Sequence, residues 1–190
     1  RAAESGELKE CQHLLKVDKL DVDGRDAMAF PTTPLHLACK YGHVEVMQEL
    51  LAQGANARLL SKEGDSCLNI AVQYNRHAAV ELLLDAKLDV TLKNAKGRTC
   101  FHTAAEYGNY KPLRSLLPCL EKRLMSLKDK EGWTPLHTAA KTDNWTVLGI
   151  VIEFDQLAPH EVDVRDNTGR TPLKAAAENR SLRVARKLVE

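Results

Sequence analysis

The chain has 190 residues, 44% of them hydrophobic and 28% charged, with a formal net charge of +1. That is the composition of a soluble, folded protein. The near-zero charge supplies no basic field for a phosphate backbone, which argues against nucleic acid as the main ligand. No apolar run reaches the ~18 residues that a membrane-spanning helix needs, so direct membrane insertion is not expected.

Along the chain, residues 2–15 come first. Ala2, Ala3, Gly6, Leu8, Leu14 and Leu15 read as the end of one helix, a turn and an apolar second helix. A connection from Asp21 to Thr32 follows. At its tip Met28 and Phe30 are either a staple against neighbouring structure or an exposed anchor. Then Thr33-Pro34-Leu35-His36 opens a unit that repeats. It continues through the small pair Ala38-Cys39, a turn at Gly42, an apolar helix with Val46, Met47, Leu50 and Leu51, and a hairpin glycine at Gly64.

The opening tetrapeptide returns as Ser66-Cys67-Leu68-Asn69, Thr99-Cys100-Phe101-His102, Thr134-Pro135-Leu136-His137 and Thr171-Pro172-Leu173-Lys174, with starts 33, 33, 35 and 37 residues apart. The small pair returns as Ala71-Val72, Ala104-Ala105, Ala139-Ala140 and Ala176-Ala177, and the hairpin glycine as Gly97, Gly132 and Gly169. Each position has a physical reason. Threonine caps the first helix with its hydroxyl. Proline suits the first helical position because its missing N–H has no partner there. The small pair lets first helices approach closely, and glycine supplies positive φ at little cost. Asn75, Asp143 and Arg180 stand where the inter-helix turn otherwise has glycine, so those turns are expected to be less ideal.

A period near 33 with this tetrapeptide closely resembles the ankyrin repeat. The resemblance covers nearly the whole chain and implies an all-α repeat solenoid of helix-turn-helix units joined by β-hairpin fingers. About six helix pairs are expected in a single domain, 1–190, with repeats near 1–23 (partial), 24–57, 58–90, 91–125, 126–162 and 163–190 (partial). No such unit buries its apolar face alone, so the array folds by stacking. Arg1 is not a natural start, and the chain is expected to be a piece of a longer protein. Two connections exceed the basic unit, from Leu116 to Lys128, where Pro118 is expected to end a helix, and from Glu153 to Val164.

The resemblance also implies where a partner docks, on the concave face made by fingers and first helices. The positions after the small pair are Lys40-Tyr41, Gln73-Tyr74, Glu106-Tyr107, Lys141-Thr142 and Glu178-Asn179. With packed helices about 8–10 Å apart, the three tyrosines are expected to form a column, and tyrosine is a favoured interface anchor. Just before each cap residue stand Asp65, Arg98, Trp133 and Arg170. The candidate contact residues are Lys40, Tyr41, Gln73, Tyr74, Arg98 and Glu106, then Tyr107, Trp133, Lys141 and Arg170, with Phe30 and Met28 on the first finger. Trp145 aligns with Val44, His77, Tyr110 and Leu182 at the start of the second helix and is expected to pack. The later fingers carry a basic bias from Lys93, Lys96, Arg98, Lys128, Lys130, Arg165 and Arg170, diluted by Asp129, Glu131 and Asp166, which reads either as a solvated polar edge or as a surface for an acidic peptide or protein patch.

Catalytic signatures are lacking. There is no GxxxxGK[ST] phosphate loop, no HExxH and no GxSxG. The resemblance gives His36, His102 and His137 an inter-repeat hydrogen-bonding role. The five cysteines form no CxxC pair and read as reduced core residues of an intracellular protein. The expectation is a non-enzymatic scaffold or adaptor, without cofactor, metal or small-molecule substrate, that binds a protein or peptide. The alternative is a structural segment of a longer ankyrin array in a channel's cytoplasmic domain or a cytoskeletal linker.

Overall fold

The computed structural model describes residues 1–16, 21–24, 32–119, 124–153 and 162–189. Met28 and Phe30 lie outside the described residues, as do parts of the two long connections, 120–123 and 154–161. The chain divides into two compact units, Arg1–Asp89 and Val90–Glu190.

The first unit holds α1 (Ala2–Ser5), α2 (Leu8–Lys16), α3 (Pro34–Tyr41), α4 (Val44–Ala52), α5 (Cys67–Gln73) and α6 (His77–Asp85). The second holds α7 (Cys100–Tyr107), α8 (Tyr110–Leu116), α9 (Pro135–Thr142), α10 (Trp145–Glu153), α11 (Pro172–Glu178) and α12 (Leu182–Val189). Within each unit the helices form three pairs, and like helices pack on like. α1 meets α3 and α3 meets α5; α2 meets α4 and α4 meets α6. In the second unit α7 meets α9 and α9 meets α11, while α8 meets α10 and α10 meets α12.

The repeating residues explain this stacking. Ala38, Cys39, Ala71, Ala104, Ala105, Ala139, Ala140 and Ala176 are buried, so first helices come together over small side chains. Second helices contribute the bulk: Met47, Leu50 and Leu83 in the first unit, Leu113, Leu116 and Leu148 in the second, all inaccessible to solvent or nearly so. Each such side chain contributes roughly 1.5–3 kcal/mol on burial. Cys11, Cys39, Cys67 and Cys100 are buried in this core and not joined in disulfides, and burial pushes the Cys11 and Cys39 thiols up, away from the reactive thiolate.

The caps form as the sequence predicts. The Thr33, Ser66, Thr134 and Thr171 hydroxyls each accept from the backbone N–H three residues on, and Pro34, Pro135 and Pro172 occupy the first helical positions. Pro118 follows the end of α8, in a 3₁₀ turn at Leu117–Cys119. Asn75, Asp143 and Arg180 adopt positive φ of 58°, 55° and 57°, as their glycine-like places require.

The fingers differ from the expected β-hairpins. Among the described residues no stretch is a β-strand. Among the described residues each of four fingers is a tight turn closed by two backbone bonds. In one, Asp129 N–H donates to Trp133 O (2.8 Å) and Gly132 N–H to Asp129 O (3.1 Å). Asn94/Gly97/Arg98, Asp166/Gly169/Arg170 and Ser61/Gly64/Asp65 repeat this arrangement. With so few residues between turn and cap, no ladder has room to form. Gly132 is required twice over: its φ is +78°, and a Cβ there would sit 2.6 Å from the Asn167 backbone nitrogen of the following finger.

Candidate partner-binding face

Fingers are tied to first helices by the tetrapeptide histidines. The Thr99 backbone N–H donates to His102 Nδ1 (3.2 Å). That nitrogen therefore accepts, and His102 Nε2–H donates to Trp133 O (2.9 Å). His137 reaches Arg170 O (2.9 Å) in the same way, while His36 Nε2 meets Leu59 O (3.1 Å), earlier in the connection that follows its repeat. Burial lowers His102 to about 4 and lowers His137 as well. At His36 burial also opposes the charge, but the Cys67 thiol together with bonds to the Leu59 and Asp65 backbone outweighs it and the net direction is up. With both ring nitrogens engaged, these histidines hold the fingers in place.

A second set of bonds shapes the fingers from inside. Asp129 Oδ1 accepts from the Glu131 and Trp133 N–H groups, both at 2.9 Å. Asp166 Oδ1 accepts from Thr168 (2.8 Å) and Arg170 (2.9 Å). Asn94 Oδ1 serves Lys96 and Arg98, each at 3.0 Å. Burial raises the Asp166 carboxyl's affinity for a proton, but bonds from Thr168 and Arg170 prevail and hold it well below the usual carboxylate range. The sequence places Asp129 and Asp166 among the solvated tip charges. The structure corrects this, since both are buried, at 8% and 6% exposure. An Asx or Ser three residues before each finger glycine is the signal that would have found them.

These two networks position the solvent side of each finger above the helix that follows. In three repeats of the second unit a finger residue meets the helix residue eight positions on. Arg98 NH1 bonds Glu106 Oε1 at 2.9 Å, and Arg170 NH1 bonds Glu178 Oε2 at 3.2 Å. Between them in sequence, Trp133 and Lys141 take the same places, with the Lys141 ammonium 4.7 Å from the indole centroid. The guanidiniums also bond the finger carboxylates, Arg98 to Asp129 Oδ2 (3.2 Å) and Arg170 to Asp166 Oδ2 (2.9 Å). Arg98 is thereby buried, at 8% exposure. Arg170 and Trp133 remain partly accessible. Tyr107, half exposed, stands beside Glu106 at the end of α7.

In the first unit the corresponding face contains a cleft of about 360 Å³ lined by Lys40, Gln73, Tyr74, Glu63 and Asp65 among others. The Lys40 ammonium lies 5.3 Å from the Tyr41 centroid and 5.4 Å from that of Tyr74, so the structure brings these two rings to one cation. Tyr41 also donates to Glu4 Oε1 (3.1 Å) and stacks on His43 at 6.0 Å. Tyr74 keeps 41% of its surface exposed. The expected column is described only within each unit, as Tyr41 with Tyr74 in one and Tyr107 in the other.

One aromatic stands elsewhere than expected. Trp145 is 43% exposed rather than packed. The start of the second helix points outward, and Tyr110 (44%) and Leu182 (78%) at equivalent positions are exposed too. Among the described residues no helix is long and apolar enough to cross a membrane.

Comparison with known proteins agrees with this architecture. Oxysterol-binding protein-related protein 1 of Rattus norvegicus is 38% identical over 66 residues, and that of Mus musculus 36% over 66. Each match takes in 31% of this chain and only 7% of the relative's length. A chain in the solved structure of a predatory endopeptidase from Bdellovibrio bacteriovorus in complex with an immunity protein superposes with a TM-score of 0.81 at 24% identity. That superposition covers 99% of this chain and 94% of that one, and at this identity it is a likeness of fold. A family model described as ankyrin repeats, in 3 copies, matches residues 1–94, 86–153 and 101–190. The chain belongs to the ankyrin-repeat family.

Proposed function

We propose that the chain is a non-catalytic, intracellular binding module that holds a protein or peptide segment against its fingers and first helices. The observation that carries this reading is the substitution of Trp133 and Lys141 into places where neighbouring repeats carry an Arg–Glu ion pair. An ion pair satisfies itself. An indole under a single ammonium leaves apolar surface for another molecule, and tryptophan is the side chain most enriched at binding hot spots. The cleft beside Tyr74 gives the first unit a corresponding feature, with polar groups for orientation around an aromatic wall. Ankyrin repeats generally mediate protein–protein contacts, and the solved neighbour is itself part of a protein complex.

The test begins with ligands selected from a random dodecapeptide library on the 190-residue chain, and compares their affinity for wild type, Trp133→Ala and Tyr74→Ala. At least one variant is expected to weaken binding ten-fold or more, with a melting temperature within about 2 °C of wild type, because a half-exposed ring contributes little to folding. Selected peptides indifferent to both substitutions, or a loss of binding that follows loss of fold, would defeat the reading.

A further inference from the structure

The opposite side of the second unit carries a pattern that partner binding by fingers leaves unused. The second helices α8, α10 and α12 lie side by side. Each begins with an exposed large side chain: Tyr110, Trp145 and Leu182, at 44%, 43% and 78% exposure. Trp145 stays exposed although α8 and α12 flank its helix on both sides. The row therefore lies on the outer face and not on the surface where one repeat stacks upon the next.

Charge on the same helices is one-sided. α8, α10 and α12 carry Lys111, Arg114, Arg183, Arg186 and Lys187, and their sole carboxylate is Glu153 at the far end of α10. In the first unit the balance is opposite on α4 and α6, which carry Glu45, Glu49, Glu81 and Asp85 and neither lysine nor arginine, while α2 carries Lys9, Glu10 and Lys16. The chain's net charge of +1 conceals both faces. Trp145 and Leu182, with Arg183, Arg186 and Lys187, enclose an open cleft of about 340 Å³.

We infer that this outer face of residues 90–190 is a second docking surface, for an acidic peptide segment that seats an apolar side chain in the cleft between Trp145 and Leu182. Carboxylates flanking the anchor meet Arg183 and Arg186, and an aromatic edge beside cations suits a chain that is acidic and amphipathic at once. The recess decides between peptide and membrane. A bilayer surface is engaged by apolar groups that protrude, whereas a cleft between two helices accepts a side chain from outside. The inference is independent of the finger-side reading.

The probe is a synthetic twelve-residue peptide with a central Phe-Leu pair flanked by glutamates, titrated into the whole chain in a Trp133→Phe background, where fluorescence reports Trp145 alone. Saturable binding is expected at about 50 mM salt, weakening ten-fold or more by 200 mM as the ion pairs are screened. Arg183→Glu with Arg186→Glu should abolish it. Trp145→Ala, followed by polarisation of a labelled peptide, should weaken it at least five-fold. The Trp133→Phe chain should bind like wild type by polarisation, which separates this face from the finger side. Replacing the peptide's glutamates by lysines, or its Phe-Leu pair by alanines, should end binding. The inference is overturned by absence of binding or by binding indifferent to these substitutions. It is equally overturned if only vesicles containing 30% phosphatidylserine bind, which assigns the face to membranes. Sedimentation showing self-association that Arg183→Glu disrupts, with no peptide bound, assigns it to a second copy.

Discussion

His102 shows how much one side chain carries. Burial holds its imidazole at about 4, against an ordinary value of ~6.5. Between those values an unfolded chain takes up a proton that the folded chain refuses. Its contribution is thus fully present above about pH 6.5, falls as the pH drops, and levels off near pH 4, a total of about 3 kcal/mol. His137 acts in the same direction and His36 in the opposite one. Urea midpoints measured across that window should fall more steeply for wild type than for His102→Asn, which imitates Asn69 in the equivalent place. Arg180 carries a cost of another kind. It sits at φ 57° where related turns use glycine, and the left-handed region costs a side-chain-bearing residue about 1–2 kcal/mol. The greater freedom of an unfolded glycine returns about 0.4–1 kcal/mol of that. Arg180→Gly should therefore raise stability by roughly 0.5–1 kcal/mol in denaturant unfolding.

At the scale of the element, the finger is a turn wound around one carboxylate. Asp129 accepts two backbone N–H groups through one oxygen and the Arg98 guanidinium through the other. Asp129→Ala would strand these donors in a buried place, at a cost of about 3 kcal/mol, and would free Arg98 from one of its two carboxylates. Urea unfolding gives the loss directly. Asp129→Asn should recover part of it, because an amide oxygen still accepts both N–H bonds. This element also marks how far sequence carries the fold. Caps, prolines, small pairs and turn glycines were legible because each answers to a local requirement that returns from repeat to repeat. The burial of Asp129 and Asp166 was not, because a charged residue near a turn tip reads as solvated until the arginine four or thirty-one residues away is placed against it. Trp145 escaped for a similar reason: hydrophobicity predicts burial, but in the second unit the first position of the second helix is exposed with Tyr110, Trp145 and Leu182 alike. On the binding face the residues Trp133, Lys141, Arg98, Glu106 and Arg170 were legible as positions, whereas their pairing across eight residues required the finger's geometry.

For the molecule as a whole, two compact units of three helix pairs each follow from stacking. Three pairs suffice for a repeat array to bury a continuous core. Residues 90–190 expressed alone should thus give a helical far-ultraviolet spectrum and a cooperative melt. A featureless, non-cooperative transition would contradict the self-sufficiency of that unit. Opposite charge on the outer helices of the two units adds a consequence for handling: low ionic strength accentuates both faces, and salt near 0.15 M, with a screening length of ~8 Å, leaves short-range contacts in control.

The lysine bonds between successive fingers, and the histidine bonds from a first helix to the finger that follows, have a mechanical meaning. Lys93 Nζ reaches Lys128 O at 2.8 Å, Lys128 Nζ reaches Arg165 O at 2.7 Å, and each tetrapeptide histidine reaches one carbonyl ahead. Every tie joins a repeat only to its neighbour. Tension applied at the end of α12 therefore loads these ties in sequence, as in a zipper, and not in parallel, as in sheared strands. Each released repeat of 33 to 37 residues adds on the order of 100 Å of extended chain. Stretched residues 90–190 should accordingly lengthen in low, evenly spaced steps, and yield to force as a compliant spring.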